Sequence, residues 1–227
     1  MINNGRLIGI IPARGGSKGI PKKNLVNLSG KPLINWTIDE AKKLSVIDEL
    51  IVSSDDEGII ACAQEAGCKT PFKRPAHLAT DQASTIDVII HALESYSDYE
   101  YVLLLQPTSP LRKAKDILNA IDLMVKKNAP ACISISPVEC KPEWMFYLGK
   151  SENLEKVLKS EDIKTRRQDL EKAFIPNGAI YLAETSFLRE KKTFFSDKTV
   201  GYIMPAELSI DIDKVEDLKS CELKLKY

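Results

Sequence analysis

The chain has 227 residues, 44% of them hydrophobic and 28% charged, which suits one large globular domain or a domain with a substantial insertion. Its 32 basic and 32 acidic side chains cancel, which argues against non-specific nucleic-acid binding. No apolar run approaches membrane-spanning length, the N-terminus has no secretory pattern, and the five cysteines form no CxxC pair; together these predict a soluble cytoplasmic protein with reduced thiols.

In chain order, residues 7–12 read as the first strand, and it runs into a loop that holds three glycines with Arg14, Lys18, Lys22 and Lys23. No acidic residue stands between Met1 and Ile38. Glycine lets backbone N–H groups approach an anion, and clustered Lys and Arg neutralise a polyphosphate, so this loop predicts a nucleoside-triphosphate cradle. Its spacing is neither GxxxxGK[ST] nor GxGxxG, which speaks against a P-loop ATPase and against a standard dinucleotide-binding oxidoreductase. Arg14 and Lys23 would carry charge where a leaving pyrophosphate gains it.

A helix is expected from Pro32, a favoured first helical position, to about Leu44. After a strand at 50–54, a second helix covers about 56–66 and ends at Gly67. Ser84 is the expected N-cap of a third helix with Ile86, Ile89, Ile90 and Leu93 on one face. Strands at 101–106 and 131–136 flank a fourth helix, about 113–127, that aligns Ile117, Ile121, Met124 and Val125. This alternation predicts a parallel sheet covered by helices on both faces, with ligands bound beyond the carboxyl ends of the strands. From 138 to about 174 the rhythm breaks: the strand-like apolar residues Trp144, Phe146 and Leu148 are followed by a charged stretch. This is read as a projecting insertion whose exposed apolar residues need a partner surface, either a second copy or a small subdomain of the same chain. Strands at 177–183 and 201–205 follow, then a closing helix from about Val215.

Three further groups of residues bear chemistry. Asp211 and Asp213 stand two apart, so in an extended segment both carboxylates share a face and reach one hard cation; Mg2+ suits such oxygen ligands and is commonly shared with substrate phosphates. The plainer alternative is that Asp213 caps the final helix. Gln106, Thr108 and Ser109 follow a central strand and supply an amide and hydroxyls able to read a sugar or a base, in a turn rich in Pro and Ser. Arg167, beside Gln168, suits an acidic substrate because Arg pairs carboxylates bidentately, although such a run is as readily solvated. His77 and His91 are isolated, and no Ser-His-Asp or Cys-His arrangement is suggested, so covalent nucleophilic catalysis is not expected. Asp55 and Asp56, at a strand end, suit either a substrate contact or a helix cap.

The segments IIPARGGSKGIPKKN, KRPAHLATDQAST, LLLQPTSPLR, RRQDL, PNGAIY and SIDID, in this order, make the chain resemble the acylneuraminate cytidylyltransferases, the CMP-sialic acid synthetases, from about residue 7 to 213. The resemblance implies an α/β, Rossmann-like nucleotidyltransferase fold in a single domain over 1–227, with a mostly parallel sheet flanked by helices and a dimerisation insertion at about 138–174. It implies transfer of CMP from CTP to a nine-carbon 2-keto acid sugar with release of pyrophosphate, Mg2+ as cofactor, and a homodimer. By resemblance Arg14, Ser17 and Lys23 contact the triphosphate, Asn24 the cytosine or ribose, and Arg74 and Ser84 help fix the nucleotide. Gln106, Thr108, Ser109 and Tyr181 line the sugar pocket, with Arg167 and Gln168 near it. Asp211 and Asp213 match the metal carboxylates, and with Arg14 and Lys23 they form the expected catalytic set. Trp144 replaces a Lys of the HPLK segment found in many such enzymes, and Ile175 stands where an Arg is frequent. Both favour a sugar with fewer hydroxyls, such as legionaminic acid. The alternative among enzymes is a cytidylyltransferase for another acidic keto sugar such as pseudaminic acid or Kdo, and the alternative outside enzymes is a non-catalytic nucleotide-binding module.

Overall fold

Aliphatic residues that alternate between two faces build the central sheet of this protein. In the computed structural model of the chain, the described residues are Ile2, 4–158, Arg166, Gln168 and 170–225. The strands are β1 (Leu7–Pro12), β2 (Asn27–Leu28), β3 (Lys31–Pro32), β4 (Glu49–Ser53), β5 (Tyr101–Leu104), β6 (Ala131–Val138), β7 (Phe146–Leu148), β8 (Leu154–Lys156), β9 (Ala173–Glu184) and β10 (Val200–Ile203). The helices are α1 (Leu33–Lys42), α2 (Glu57–Glu65), α3 (Thr85–Glu94), α4 (Ala114–Lys127), α5 (Thr185–Lys191) and α6 (Val215–Leu225).

The main sheet has the order β10-β6-β9-β5-β1-β4. On one face Leu7, Ile11, Val52, Leu103 and Leu182 pack beneath α1, α2 and α4; on the other Ile8, Ile10, Ile51, Val102 and Leu104 pack beneath α3 and α5. Burying each such side chain contributes roughly 1.5–3 kcal/mol, so the two-faced core is the main source of stability. A smaller cluster of Ile20, Leu28, Leu33, Leu111, Ile212 and Cys221 fastens the basic loop, the β2–β3 hairpin and α6 to the carboxyl rim of the sheet.

The helix starts follow local chemistry. Asp56 caps α2 by accepting from the Ile59 N–H, Ser84 caps α3 by accepting from Ile86, and Gly67 takes a left-handed φ of +72° just past α2. Three expectations change. Pro32 precedes α1 rather than opening it, because Lys31–Pro32 first pairs with Asn27–Leu28 as a hairpin. Val125 of α4 is exposed while Ala120 is buried, since the stripe facing the sheet is Ile117, Ala120, Ile121 and Met124.

The third change concerns direction: β9 runs antiparallel to β5 and β6, whereas β1, β4, β5, β6 and β10 are parallel. Among the described residues the connection from β6 to β9 holds no α-helix, only a 3-10 turn at Pro142–Trp144, and β9 returns antiparallel to β6 rather than by a parallel crossover. The two strands stay paired out to Val138↔Ala173, and between them lie the exposed β7–β8 hairpin and the rest of the insertion. Between Ile133↔Tyr181 and Ile135↔Pro176 the chain advances two residues on β6 but five on β9. The surplus forms a bulge at Asn177–Gly178, which the reversed strand delivers to the same rim as the carboxyl ends of its neighbours.

Candidate active site

The basic loop leaves β1 and lies across the rim. Gly15 N–H donates to Asp55 Oδ1 at 3.0 Å, and a Cβ on Gly15 would fall 2.7 Å from Asp56 Cβ. Gly19 approaches closer still: its missing Cβ would lie 2.1 Å from the Asp213 carbonyl oxygen. The loop and the distant Asp segment are therefore in direct backbone contact, which only glycine permits. Asn24 is buried and braces the loop by donating from Nδ2 to the Arg14 carbonyl at 2.9 Å.

Arg14, Lys18 and Lys23 of the cradle each have a carboxylate partner. Arg14 Nη2 and Lys18 Nζ meet opposite oxygens of Asp81 at 2.6 and 2.8 Å, and the Lys18 ammonium and Arg14 guanidinium hold that carboxyl below its usual range. Lys23 Nζ donates to the Ile212 carbonyl and to Asp213 Oδ1, both at 2.8 Å. Arg74 is buried and donates to the Ser53 carbonyl and, at 3.1 Å, to Ser53 Oγ. Burial lowers its pKa to about 10, with nearby Asp55 acting the other way, so Arg74 remains a cation at neutral pH.

The Asp segment is extended but unpaired as a strand. Ile212 is fully buried and donates its N–H to the Thr108 carbonyl at 2.8 Å, which turns the flanking Asp211 and Asp213 toward the cleft. Asp211 keeps an exposed face there, yet the protein atoms crowded behind it raise its carboxyl above the ordinary value. A Thr108 hydrogen bond and Lys23 oppose that shift, and Asp213 adds to it. Asp213 does not cap α6; Asp217 reaches back to accept from Asp213 N–H at 3.0 Å and Lys214 N–H at 2.8 Å.

Two cavities meet at this point. The first, about 410 Å³, is lined by Arg14, Ser17, Lys23, Asn24, Arg74 and Thr108 among others. The second, about 420 Å³, is lined by Ser136, Ile175, Pro176, Tyr181 and Ser209 among others. Gln106 and Asp211 border both. Gly178, with φ +78°, stands against them: a Cβ would lie 2.6 Å from Gln106 Oε1 and 3.7 Å from Asp211 Cγ.

Asp211 and Asp213 both border the first cavity and supply oxygen donors of the kind a hard divalent cation takes, with Lys23 already paired to Asp213 Oδ1. Among the described residues no group of three or more His, Cys, Asp or Glu side chains is placed to hold a metal ion, so further ligands here would be substrate oxygens or water.

Three of the expected site residues lie elsewhere, and a fourth falls outside the described residues. Ser84 spends its hydroxyl on the α3 cap, and its neighbours Ala83 and Thr85 line the first cavity instead. Ser109 is fully buried, with Oγ directed at the Asn177 carbonyl 3.5 Å away, so it supports the bulge and does not face the second cavity. Gln168 borders a separate groove with Val138, Lys141 and Lys172 along the insertion. Arg167 lies outside the described residues.

A family model described as Cytidylyltransferase matches residues 8–222. The chain belongs to the cytidylyltransferase family. It is 38% identical to an N-acylneuraminate cytidylyltransferase of Streptococcus agalactiae, over 92% of this chain and 50% of that protein. It is 35% identical to a pseudaminic acid cytidylyltransferase of Campylobacter jejuni, over 96% and 95% of the two chains. A CMP-N,N'-diacetyllegionaminic acid synthase of Legionella pneumophila is 36% identical over 92% and 91%. The chain thus spans about half the length of the streptococcal relative and nearly all of the other two.

The fold is shared with a CMP:2-keto-3-deoxy-manno-octonic acid synthetase solved with CTP, at TM-score 0.74 and 16% identity over 97% of this chain and 98% of that one. It is also shared with a 4-diphosphocytidyl-2C-methyl-D-erythritol synthase of Anaerococcus prevotii, at TM-score 0.69 and 14% identity over 98% and 99%. The Rossmann-like nucleotidyltransferase fold is therefore the architecture of this cytidylyltransferase. Sequence reasoning assigns no role to Asp81, Asn177, Gly178 or Arg112. Asp81 carries no local signal, since its partners stand more than sixty residues away, and the bulge at Gly178 depends on the reversed direction of β9.

Proposed function

We propose that this cytidylyltransferase transfers CMP from CTP to the anomeric hydroxyl of a nine-carbon 2-keto acid sugar, sialic acid or a relative such as legionaminic acid, and releases pyrophosphate. The observation that carries this reading is the junction of two cavities at Gln106 and Asp211, one rich in cations and one lined by Ile175, Pro176 and Tyr181. A hydroxyl entering from the second cavity would approach the α-phosphorus from the side opposite Arg14 and Lys23, as an in-line displacement requires.

In this reading Arg14, Ser17 and Lys23 bind the triphosphate, and Arg14 and Lys23 take up the charge that develops on the leaving pyrophosphate. Arg74 neutralises the nucleotide from beneath, and Asn24 holds the loop through the Arg14 carbonyl. Gln106 and Tyr181 orient the sugar, while Thr108, which borders the first cavity, anchors the Asp segment by accepting from Ile212 N–H. Asp211 and Asp213 would hold Mg2+, which supplies charge neutralisation and polarisation of phosphate oxygens when bound. Positioning and electrostatics would account for most of the acceleration.

Homodimerisation through the insertion belongs to the same proposal. Tyr147, Leu148 and Leu154 on the β7–β8 hairpin are 63%, 72% and 68% exposed, a patch that water covers poorly. A cytoplasmic setting is supported by the five free cysteines. Within the acceptor class, Ile175 at the second cavity favours a deoxy, acylated sugar such as legionaminic acid. The test is pyrophosphate release with CTP and Mg2+ across sialic, legionaminic, pseudaminic and Kdo acids. Release with a nine-carbon acid is expected, fastest with legionaminic acid; no release with any of the four refutes the assignment.

A further inference from the structure

Arg112 is the largest fully buried side chain among the described residues, at 1% exposure, and it forms no ion pair among them. Burying a guanidinium without a carboxylate is costly, so its hydrogen bonds must achieve something that an apolar residue would not. Those bonds all fall on one spot. Nη1 donates to the Ala179 carbonyl at 2.7 Å and to the Gln106 carbonyl at 3.3 Å, and Nη2 donates to Thr37 Oγ1 at 2.7 Å. Thr37, fully buried in α1, in turn lies 3.5 Å from the Gln106 carbonyl.

The location is informative. The β5–β9 ladder ends at Leu104↔Tyr181, and two more residues of the same antiparallel register would pair Gln106 with Ala179. Instead of bonding each other, these residues turn their carbonyls to one guanidinium. The strands therefore part at the rim, immediately beside Gly178 and beneath the Gln106 side chain that borders both cavities.

We propose that Arg112 is a positioning residue: its guanidinium wedges β5 from β9 at the rim, fixes Gln106 at the junction and thereby keeps the acceptor cavity open to the nucleotide cavity. The inference rests on the proposed transfer reaction and names the device that aligns its two substrates. A lysine gathers its donors on one nitrogen, whereas Arg112 serves the two carbonyls from Nη1 and Thr37 from Nη2, so lysine does not reproduce the fork.

The test compares wild type with Arg112→Lys and Thr37→Val in the full chain, reading pyrophosphate release, CTP binding by calorimetry, Tm and local amide exchange. Arg112→Lys should lower kcat/KM for the acid sugar by about tenfold or more, with CTP affinity held within about threefold. Thr37→Val should move the same parameter by a few-fold in the same direction. Amide exchange should quicken at 105–109 and 176–181 and stay unchanged in β1 and β4. Sugar kinetics like wild type in both variants would overturn the proposal, as would equal losses of CTP affinity, sugar kinetics and exchange protection throughout the sheet. Should Arg112→Lys fail to fold, Thr37→Val decides alone by the same criteria. A wild type inactive with every acid sugar would remove the reaction reading, and the exchange pattern would still judge the wedge.

Discussion

Asp211 is in tension with its surroundings. Its carboxyl is raised mainly by burial, so the ionised form costs folding free energy at neutral pH. The sign follows from linkage: a folded pKa above the unfolded one favours the fold at low pH, and that favour is lost as pH rises through the folded value. Asp211→Asn should therefore raise Tm at pH 7 in metal-free buffer, with the gain shrinking toward about pH 3, while turnover falls by about a hundredfold or more. Calorimetry beside a pyrophosphate assay reads both, and a variant that is less stable at pH 7 would contradict the account. In wild type the same shift should move the acidic limb of the rate profile above the pH expected for an ordinary carboxylate. Asp81 makes a different case, because its ion pairs with Arg14 and Lys18 are partly exposed and screened by solvent, so they add little to stability. Its carboxylate competes with phosphate for both cations. Asp81→Asn should bind inorganic pyrophosphate several-fold tighter with little change in Tm; weaker product inhibition would show instead that Asp81 holds the loop in its productive shape.

At the level of elements, the site depends on close approach. The basic loop touches the Asp segment where Gly19 meets the Asp213 carbonyl, and a backbone oxygen has no rotamer with which to escape. Gly19→Ala must displace the loop, separating Lys23 from Asp213. Turnover should drop by about a hundredfold with a modest loss of Tm, because a displacement near 1 Å is enough to spoil alignment. Gly178→Ala adds left-handed strain of about 1–2 kcal/mol and pushes against the Gln106 amide, so it should impair the sugar KM more than the CTP KM. Steady-state kinetics with each substrate varied separately distinguishes the two variants. Helix signals such as the Asp56 and Ser84 caps are local, and they are legible in the sequence for that reason. The direction of β9 is not local, because it depends on how the chain returns from the insertion.

For the molecule as a whole, the proposed dimer rests on the exposed hairpin of the insertion. If Leu148 and Leu154 meet a second copy, the double variant Leu148→Asp/Leu154→Asp should sediment as a monomer while wild type sediments as a dimer. A monomeric wild type would leave that apolar patch without the partner proposed for it. The sequence alone determined the strand–helix alternation, the two-faced hydrophobic sheet and the basic glycine loop, because periodicity and glycine content act over a few residues. It also determined the Asp211–Asp213 pair, though not the neighbour that holds each carboxylate. Only the tertiary structure decided that β9 is reversed, that Ser109 is buried, that Ser84 spends its hydroxyl on a cap, and that Arg112 stands between two strands. Each of those outcomes depends on contacts between segments tens of residues apart, and short-range propensities carry no record of such contacts.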